Sequence, residues 1–248
     1  MSLNQMNEQL NDAFETYFPK FGPLRRFAYK LTNLLLLKGL RLRARVFAGR
    51  LLVNERIVEY PQIFQWIRAG RVVLDIGCAS SRLPIQLASL GYEVHGLDTR
   101  PYPFRHTNFQ FHKADIFEWS PEQSFDIILL VSTLEHFGLG IYGDLALSEA
   151  DKKAIERISN WLSEGGQLVV TVPFGKAEVT KKHRIYDLER LKYIFSNFKW
   201  IDQRYFRRVE RSWLPSSAEQ LREVASPELP SNGVAMLNLQ HISGGEKR

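Results

Sequence analysis

Acidic and small polar residues recur at the ends of apolar runs in this 248-residue chain. The run VVLDIGCASS, Val72 to Ser81, closes on Asp75 and then breaks into Gly77, Cys78, Ala79, Ser80 and Ser81 before a helix-like segment from Leu83 to Leu90. A buried strand, a tight turn and a helix in that order aim backbone N–H groups and a positive helix end at whatever occupies the turn. Small residues there let a ligand approach the main chain closely, as a nucleoside-bearing ligand requires. Further runs close on Asp98, near Asp115, and on Ser132, Thr133, Glu135 and His136. A carboxylate such as Asp98 accepts two hydrogen bonds from a ribose diol, and its separation from Asp75 suits that task in dinucleotide-binding folds. A turn-forming Asp at a strand end is the plainer alternative for each acid taken alone.

The elements that must position these residues alternate. Strands are expected over Val72–Asp75, Tyr92–Asp98, Phe109–Lys113, Phe125–Ser132 and Gln167–Val172, with helical segments at Leu83–Leu90 and Ser148–Leu162. Such alternation indicates an α/β domain with a mainly parallel sheet, and ligands of these sheets bind beyond the carboxyl ends of the strands. Two later strands, Trp200–Arg207 and Gly233–His241, complete the sheet, and the long insertion Arg208–Asn232 between them is available to shape an acceptor site. A nicotinamide fingerprint would need glycine at positions 79 and 82, which hold Ala79 and Arg82.

Residues 1–70 differ in character and are expected to form a basic helical extension to a domain spanning 71–248. Phe27 to Val46 mixes Leu31, Leu34, Leu35, Leu37 and Leu40 with basic residues, as in an amphipathic helix. No acidic residue occurs from Phe18 to Asn54, and the overall charge is +6. The apolar run Leu34–Leu37 is far shorter than the roughly 20 residues needed to span a bilayer. It fits either a helix packed on the main domain with a solvated basic face or a surface for anionic lipid or phosphate. Asn54–Ala69 reads as a second helix, with Pro61 expected near its start or at a kink. The single cysteine, Cys78, permits no internal disulfide, and with the polar N-terminus it suggests a cytoplasmic protein, with the basic helix open to peripheral contact with a membrane.

The ordered set Asp75, Gly77, Ala79 and Ser81, then Asp98, then Asp115 with Ile116, then GGQLVVTVP at Gly165–Pro173, resembles the class I S-adenosylmethionine-dependent methyltransferases. The stretches STLEHFGLGIYGD, TVPFGK and RIYD, with the lead-in NERIVEYP at Asn54–Pro61, are similar to a subgroup associated with bacterial surface-polysaccharide or glycan biosynthesis. The resemblance implies a Rossmann-like seven-stranded sheet, mostly parallel with the last strand antiparallel, carrying an N-terminal helical extension. It implies S-adenosyl-L-methionine as cofactor and S-adenosyl-L-homocysteine as product. Asp75, Gly77, Cys78, Ala79, Ser81, Asp98, Thr99, Asp115, Ile116, Ser132 and Thr133 would form the cofactor site.

Transfer to a sugar, glycan-intermediate or other small-molecule hydroxyl calls for a general base, worth about two to four powers of ten in rate. His136 is the first candidate, His183 the second, and Glu135 would orient the base or bind substrate. Tyr142, Asp144, Arg184 and Tyr186 are the acceptor-binding candidates. Glu135, His136 and Asp144 could be imagined around a metal, but no His/Cys ligand spacing supports one and none is expected. Two alternatives stay open. The basic stretch could track phosphates of an RNA substrate, although STLEHF lacks the Asn/Asp-Pro-Pro-aromatic clamp of base amino-group methylation. A non-catalytic cofactor-binding scaffold would tolerate the replaced glycines at Ala79 and Ser81.

Overall fold

The computed structural model describes residues 54–67, 71–140, 149–226 and 231–242, together with part of the segment 22–39. The chain divides into two compact units, Met1–Leu52 and Val53–Arg248. In the first, the described residues between 23 and 39 are helical, and Leu24, Phe27, Leu31, Leu35 and Leu36 are exposed. No helix among the described residues is long and apolar enough to cross a membrane.

The second unit is a mixed α/β sandwich. Among its described residues an eight-stranded sheet runs β3-β2-β1-β4-β5-β10-β8-β9, with β1 Val72–Ile76, β2 Glu93–Asp98, β3 Phe109–Lys113, β4 Phe125–Val131, β5 Leu162–Pro173, β8 Phe198–Val209, β9 Ser212–Ser216 and β10 Gly233–His241. Two short strands, β6 Glu178–Val179 and β7 Arg184–Ile185, pair separately. The pairs β1–β2, β1–β4, β2–β3 and β4–β5 are parallel. β10 is antiparallel to both β5 and β8, so it alone among the first seven strands opposes the sheet direction, while β8 runs with the parallel set.

This differs from the expected seven strands by β9, which arises inside the long insertion and pairs antiparallel with β8 at the sheet edge. Pro215 is tolerated there because an edge strand can leave one side of its backbone unpaired. The insertion also carries helix α5, Ala218–Leu221, whose Ser217 and Gln220 form a reciprocal capping box.

Strand β4 reads FDIILLV and is buried on both faces, as a central parallel strand must be. Its alternation divides the core. Ile127, Leu129 and Val131 meet Leu83 and Leu87 of α2, Leu83–Ser89, and Ile63 of α1, Arg56–Trp66. Ile128 and Leu130 join Ala154, Ile155 and Ile158 of α3, Ala150–Ser159, and Leu191 and Ile194 of α4, Leu188–Ile194. Each large aliphatic side chain so buried contributes about 1.5–3 kcal/mol.

Helix α1 was expected within the N-terminal extension, yet it belongs to the second unit, with Ile63 and Glu59 fully buried. Pro61 lies inside this helix. Its ring removes a bond to the carbonyl of Ile57, an exposed residue, so water can replace the partner.

Candidate active site

The strand order turns back between β1 and β4: from β1 the chain builds outward to β2 and β3, then returns to the other side for β4 and β5. A cavity of about 270 Å³ opens at the carboxyl ends of these strands. This is the crevice that such a reversal creates.

Gly77 forms its floor. It has φ +80°, and a Cβ there would come within 2.3 Å of the Thr133 side chain, so only glycine fits both the backbone and the space. Its N–H donates to the carbonyl of Leu97 at 2.8 Å, tying the turn after β1 to the end of β2. The turn continues as a short 3-10 segment, Cys78–Ser80. Asp98 closes β2 and receives the Ala79 N–H at 2.8 Å. Arg100 donates its backbone N–H and Nε to Asp98 Oδ1 at 2.9 and 3.1 Å, and its Nη2 to Oδ2 at 3.1 Å. Both oxygens of the expected ribose ligand are therefore aligned and charge-paired. Asp115 accepts the Phe117 N–H at 2.7 Å, which turns Ile116 and Phe117 into the cavity wall.

The opposite wall comes from the end of β4 and from α1. Ser132 has φ +47°, an uncommon conformation for a residue with a side chain. It is held by bonds from its N–H to the carbonyl and Oγ1 of Thr171, by donation from its Oγ to Glu59 Oε1 at 2.9 Å, and by donation from Arg56 Nη1 at 3.0 Å. Glu59 also accepts from Thr171 Oγ1 and pairs with Arg56. The Arg56 guanidinium is held well above its usual range: burial opposes this, but the Glu59 charge outweighs it.

The 3-10 segment Leu134–His136 then presents Glu135 and His136. His136 Nδ1 lies 2.7 Å from the Lys182 carbonyl. A carbonyl can only accept, so Nδ1 carries the hydrogen and Nε2 keeps its lone pair. Nε2 is 3.9 Å from Glu135 Oε1. Glu135 is 1% exposed, and its Oε2 has no hydrogen-bond partner. Burial pushes its carboxyl up to about 8, with Glu59 and Glu55 adding to the rise and Arg56 opposing it.

Of the residues expected at the cofactor site, Gly77, Asp98, Thr99, Asp115, Ile116, Ser132 and Thr133 line the cavity. Asp75, Cys78, Ala79 and Ser81 stand behind its wall. Asp75 is 2% exposed, and burial pushes its carboxyl up to about 7. Cys78 is buried with its sulfur beside Gly96, and burial lifts its thiol far above the ordinary range. Ser81 Oγ bonds to the Tyr60 hydroxyl at 2.8 Å and accepts the Leu83 N–H, which starts α2. Ser80, not expected, takes a place in the lining.

Glu135 and His136 line the cavity, but His183 does not. His183 is 1% exposed, with Nε2 at 3.2 Å from the Ser226 carbonyl and Nδ1 at 3.4 Å from Thr180 Oγ1, an arrangement that pins two loops together. Arg184 and Tyr186 also lie outside the lining. They donate to the carbonyls of Phe137 and Leu134, bracing the segment that presents His136. Tyr142 and Asp144 lie outside the described residues.

Glu55, Arg56 and Arg100 also line the cavity and were not expected in it, as do the apolar Ile76, Leu97, Ala114, Phe117 and Phe137. For the first two, the lead-in NERIVEYP was the available signal; for Arg100, its place two residues after Asp98.

Comparison with solved structures places this architecture. The N-methyltransferase NodS from Bradyrhizobium japonicum WM9, crystallised with S-adenosyl-L-homocysteine, is 17% identical, with 76% of this chain and 88% of that chain covered and a TM-score of 0.54. The 1,6-didemethyltoxoflavin-N1-methyltransferase of Burkholderia thailandensis is 14% identical, with 90% and 92% covered and a TM-score of 0.54. A methyltransferase from Methanosarcina mazei is 15% identical, with 74% and 98% covered and a TM-score of 0.52. The chain has the Rossmann-like fold of the S-adenosylmethionine-dependent methyltransferases. Residues 108–227 match the family described as "Caenorhabditis protein of unknown function, DUF268". No curated protein matches in sequence.

Proposed function

We propose that this chain is an S-adenosylmethionine-dependent methyltransferase that modifies a hydroxyl of a sugar, glycan intermediate or related small molecule, with His136 as general base. One observation carries the reading: a cavity joins the acidic ends of β2 and β3 to a histidine whose Nδ1 hydrogen is committed to the Lys182 carbonyl, the tautomer a general base at Nε2 requires. The residues fit the cofactor. Gly77 leaves a cradle that a Cβ would fill, Asp98 offers carboxylate oxygens for ribose hydroxyls once Arg100 yields them, and Ile116 supplies an apolar edge for a base.

When bound, the cofactor supplies a methyl group on a positively charged sulfur. The chain's own part is to align an acceptor for in-line attack and to remove its proton. His136 Nε2 would take the acceptor's O–H proton; the methyl group would come from the cofactor, whose carbon–sulfur bond breaks to leave uncharged S-adenosyl-L-homocysteine. The imidazolium formed is stabilised by the nearby Glu135 carboxyl, and its proton then passes to solvent.

Solved structures of the same fold include an enzyme named for N1-methylation of the small molecule 1,6-didemethyltoxoflavin, which supports an acceptor of that size. The exposed Leu24, Phe27, Leu31, Leu35 and Leu36, in a segment without acidic residues, support peripheral contact of the N-terminal unit with anionic membrane.

Calorimetric titration with S-adenosyl-L-methionine and S-adenosyl-L-homocysteine, followed by mass spectrometry for one added methyl on activated sugars and glycan intermediates, tests the reading. Binding of both ligands with a methylated sugar product is expected. Binding of neither removes it.

A further inference from the structure

The cavity has an imbalance of charge at one end. Arg100 is matched to Asp98, and Arg56 is matched to the fully buried Glu59. That leaves Glu55 and Glu135 on the wall next to His136, each with a buried Oε2 that has no hydrogen-bond partner. An unsatisfied buried polar atom costs about 1–3 kcal/mol. Two such oxygens on one cavity wall are tolerated most readily where an incoming ligand satisfies them.

The kind of ligand follows from the charge. A neutral hydroxyl would give a carboxylate one hydrogen bond and leave two like charges in a poorly solvated space. An ammonium group donates three hydrogen bonds and cancels charge at the same time. Burial lifts both carboxyls; Glu135 also feels the charge of Glu55, while Glu59 adds to both, Arg56 opposes both and Arg208 opposes at Glu55. A cation arriving beside them reverses that pressure and favours their ionised form.

We propose that the acceptor carries a cationic amino group, held by the carboxylates of Glu55 and Glu135, next to the hydroxyl that His136 deprotonates. This rests on the methyltransferase reading and narrows its acceptors to amino alcohols, with amino sugars as the members that match a sugar hydroxyl. Glu55 and Glu135 then determine specificity by charge, and His136 handles the proton.

D-glucosamine and D-glucose are suitable probes, because they share a ring and differ by an amino group in place of one hydroxyl. Full-length protein saturated with S-adenosyl-L-homocysteine is titrated with each and followed by ligand-observed NMR and calorimetry. Glucosamine is expected to bind at least about tenfold more tightly than glucose. Glu55→Gln and Glu135→Gln are each expected to remove at least about tenfold of the glucosamine affinity. Both variants should keep their melting temperature within a few degrees and retain S-adenosyl-L-homocysteine binding.

Equal binding of the two probes, including binding of neither, overturns the proposal. So does a matching loss of S-adenosyl-L-homocysteine affinity in the folded variants, which would assign the carboxylates to the cofactor's own amino group. If the Glu135 variant does not fold, the Glu55 variant decides alone. Failure of the unmodified protein to bind S-adenosyl-L-homocysteine is a different result, and it removes the underlying methyltransferase reading instead.

Discussion

His136 owes its usable lone pair to a carbonyl 46 residues further along the chain. Without the Lys182 acceptor, the neutral ring would be free to place its hydrogen on either nitrogen, and with the hydrogen on Nε2 it could not act as the proposed base there. His136→Ala is therefore expected to lower methyl transfer at least about a hundredfold while leaving S-adenosyl-L-homocysteine affinity nearly unchanged. Single-turnover kinetics beside calorimetry would show this, and near-normal turnover would remove the assignment. The buried acids give a second expectation at this scale. Glu135 is raised from 4.5 to about 8 and Asp75 from 3.8 to about 7, both mainly by burial. Across those windows the folded chain holds protons that the unfolded chain has released. The stability that these two groups contribute without ligand is therefore fully present below about pH 4 and is lost as the pH rises towards 8. Glu135→Gln removes one of these groups, so its melting temperature should fall less than that of the unmodified protein between pH 5 and 8. Parallel slopes would show that Glu135 is already ionised in the folded chain at pH 5, against the raised value. The strand-end positions of Asp98 and His136 made both legible in the sequence. Glu59 was not legible as a site residue, because its partners Ser132 and Thr171 lie 73 and 112 residues away and leave no local pattern.

Helix α1 reaches the sheet through Glu59, whose carboxylate gathers Arg56, Ser132 and Thr171 into one buried network. This network ties the helix to the ends of β4 and β5 and holds Ser132 in its left-handed conformation. Glu59→Ala would strand two hydroxyls and a guanidinium, at a cost of about 3 kcal/mol. Chemical denaturation is expected to show that loss, with Glu59→Gln recovering part of it by keeping an acceptor; a loss under about 1 kcal/mol would mean that water replaces the carboxylate easily. At this scale the sequence is most readable where burial is strongest. β3 and β10 occupy the ranges expected from their apolar patterns, and the other parallel strands differ only at their ends. β5 is the largest extension, because its first residues, LSEGG, follow one leucine with polar residues and glycines and pair with β4 across an irregular register. β9 was hidden because SWLPS is short, contains proline and has no clean alternation, features that an edge strand permits.

For the whole molecule, charge is distributed unevenly along the chain. Of the +6 excess, more than all lies between Phe18 and Asn54, where basic residues occur with no acid to offset them. The described helical residues in that stretch expose Leu24, Phe27, Leu31, Leu35 and Leu36. Exposed apolar side chains interspersed with arginine and lysine suit the headgroup boundary of an anionic membrane, where each basic residue contributes about 1 kcal/mol. Partly apolar exposure without charge would bind neutral and acidic vesicles alike, and charge without apolar contact would be screened out by salt. The full chain is therefore expected to sediment with vesicles containing phosphatidylserine and not with phosphatidylcholine alone. A double substitution, Leu24→Glu with Phe27→Glu, should abolish that binding without changing affinity for S-adenosyl-L-homocysteine. Equal, negligible sedimentation with both vesicle types would limit the basic stretch to a solvated helix face. Binding that persists in the double variant would make it a purely electrostatic contact, and raising the salt would then release it.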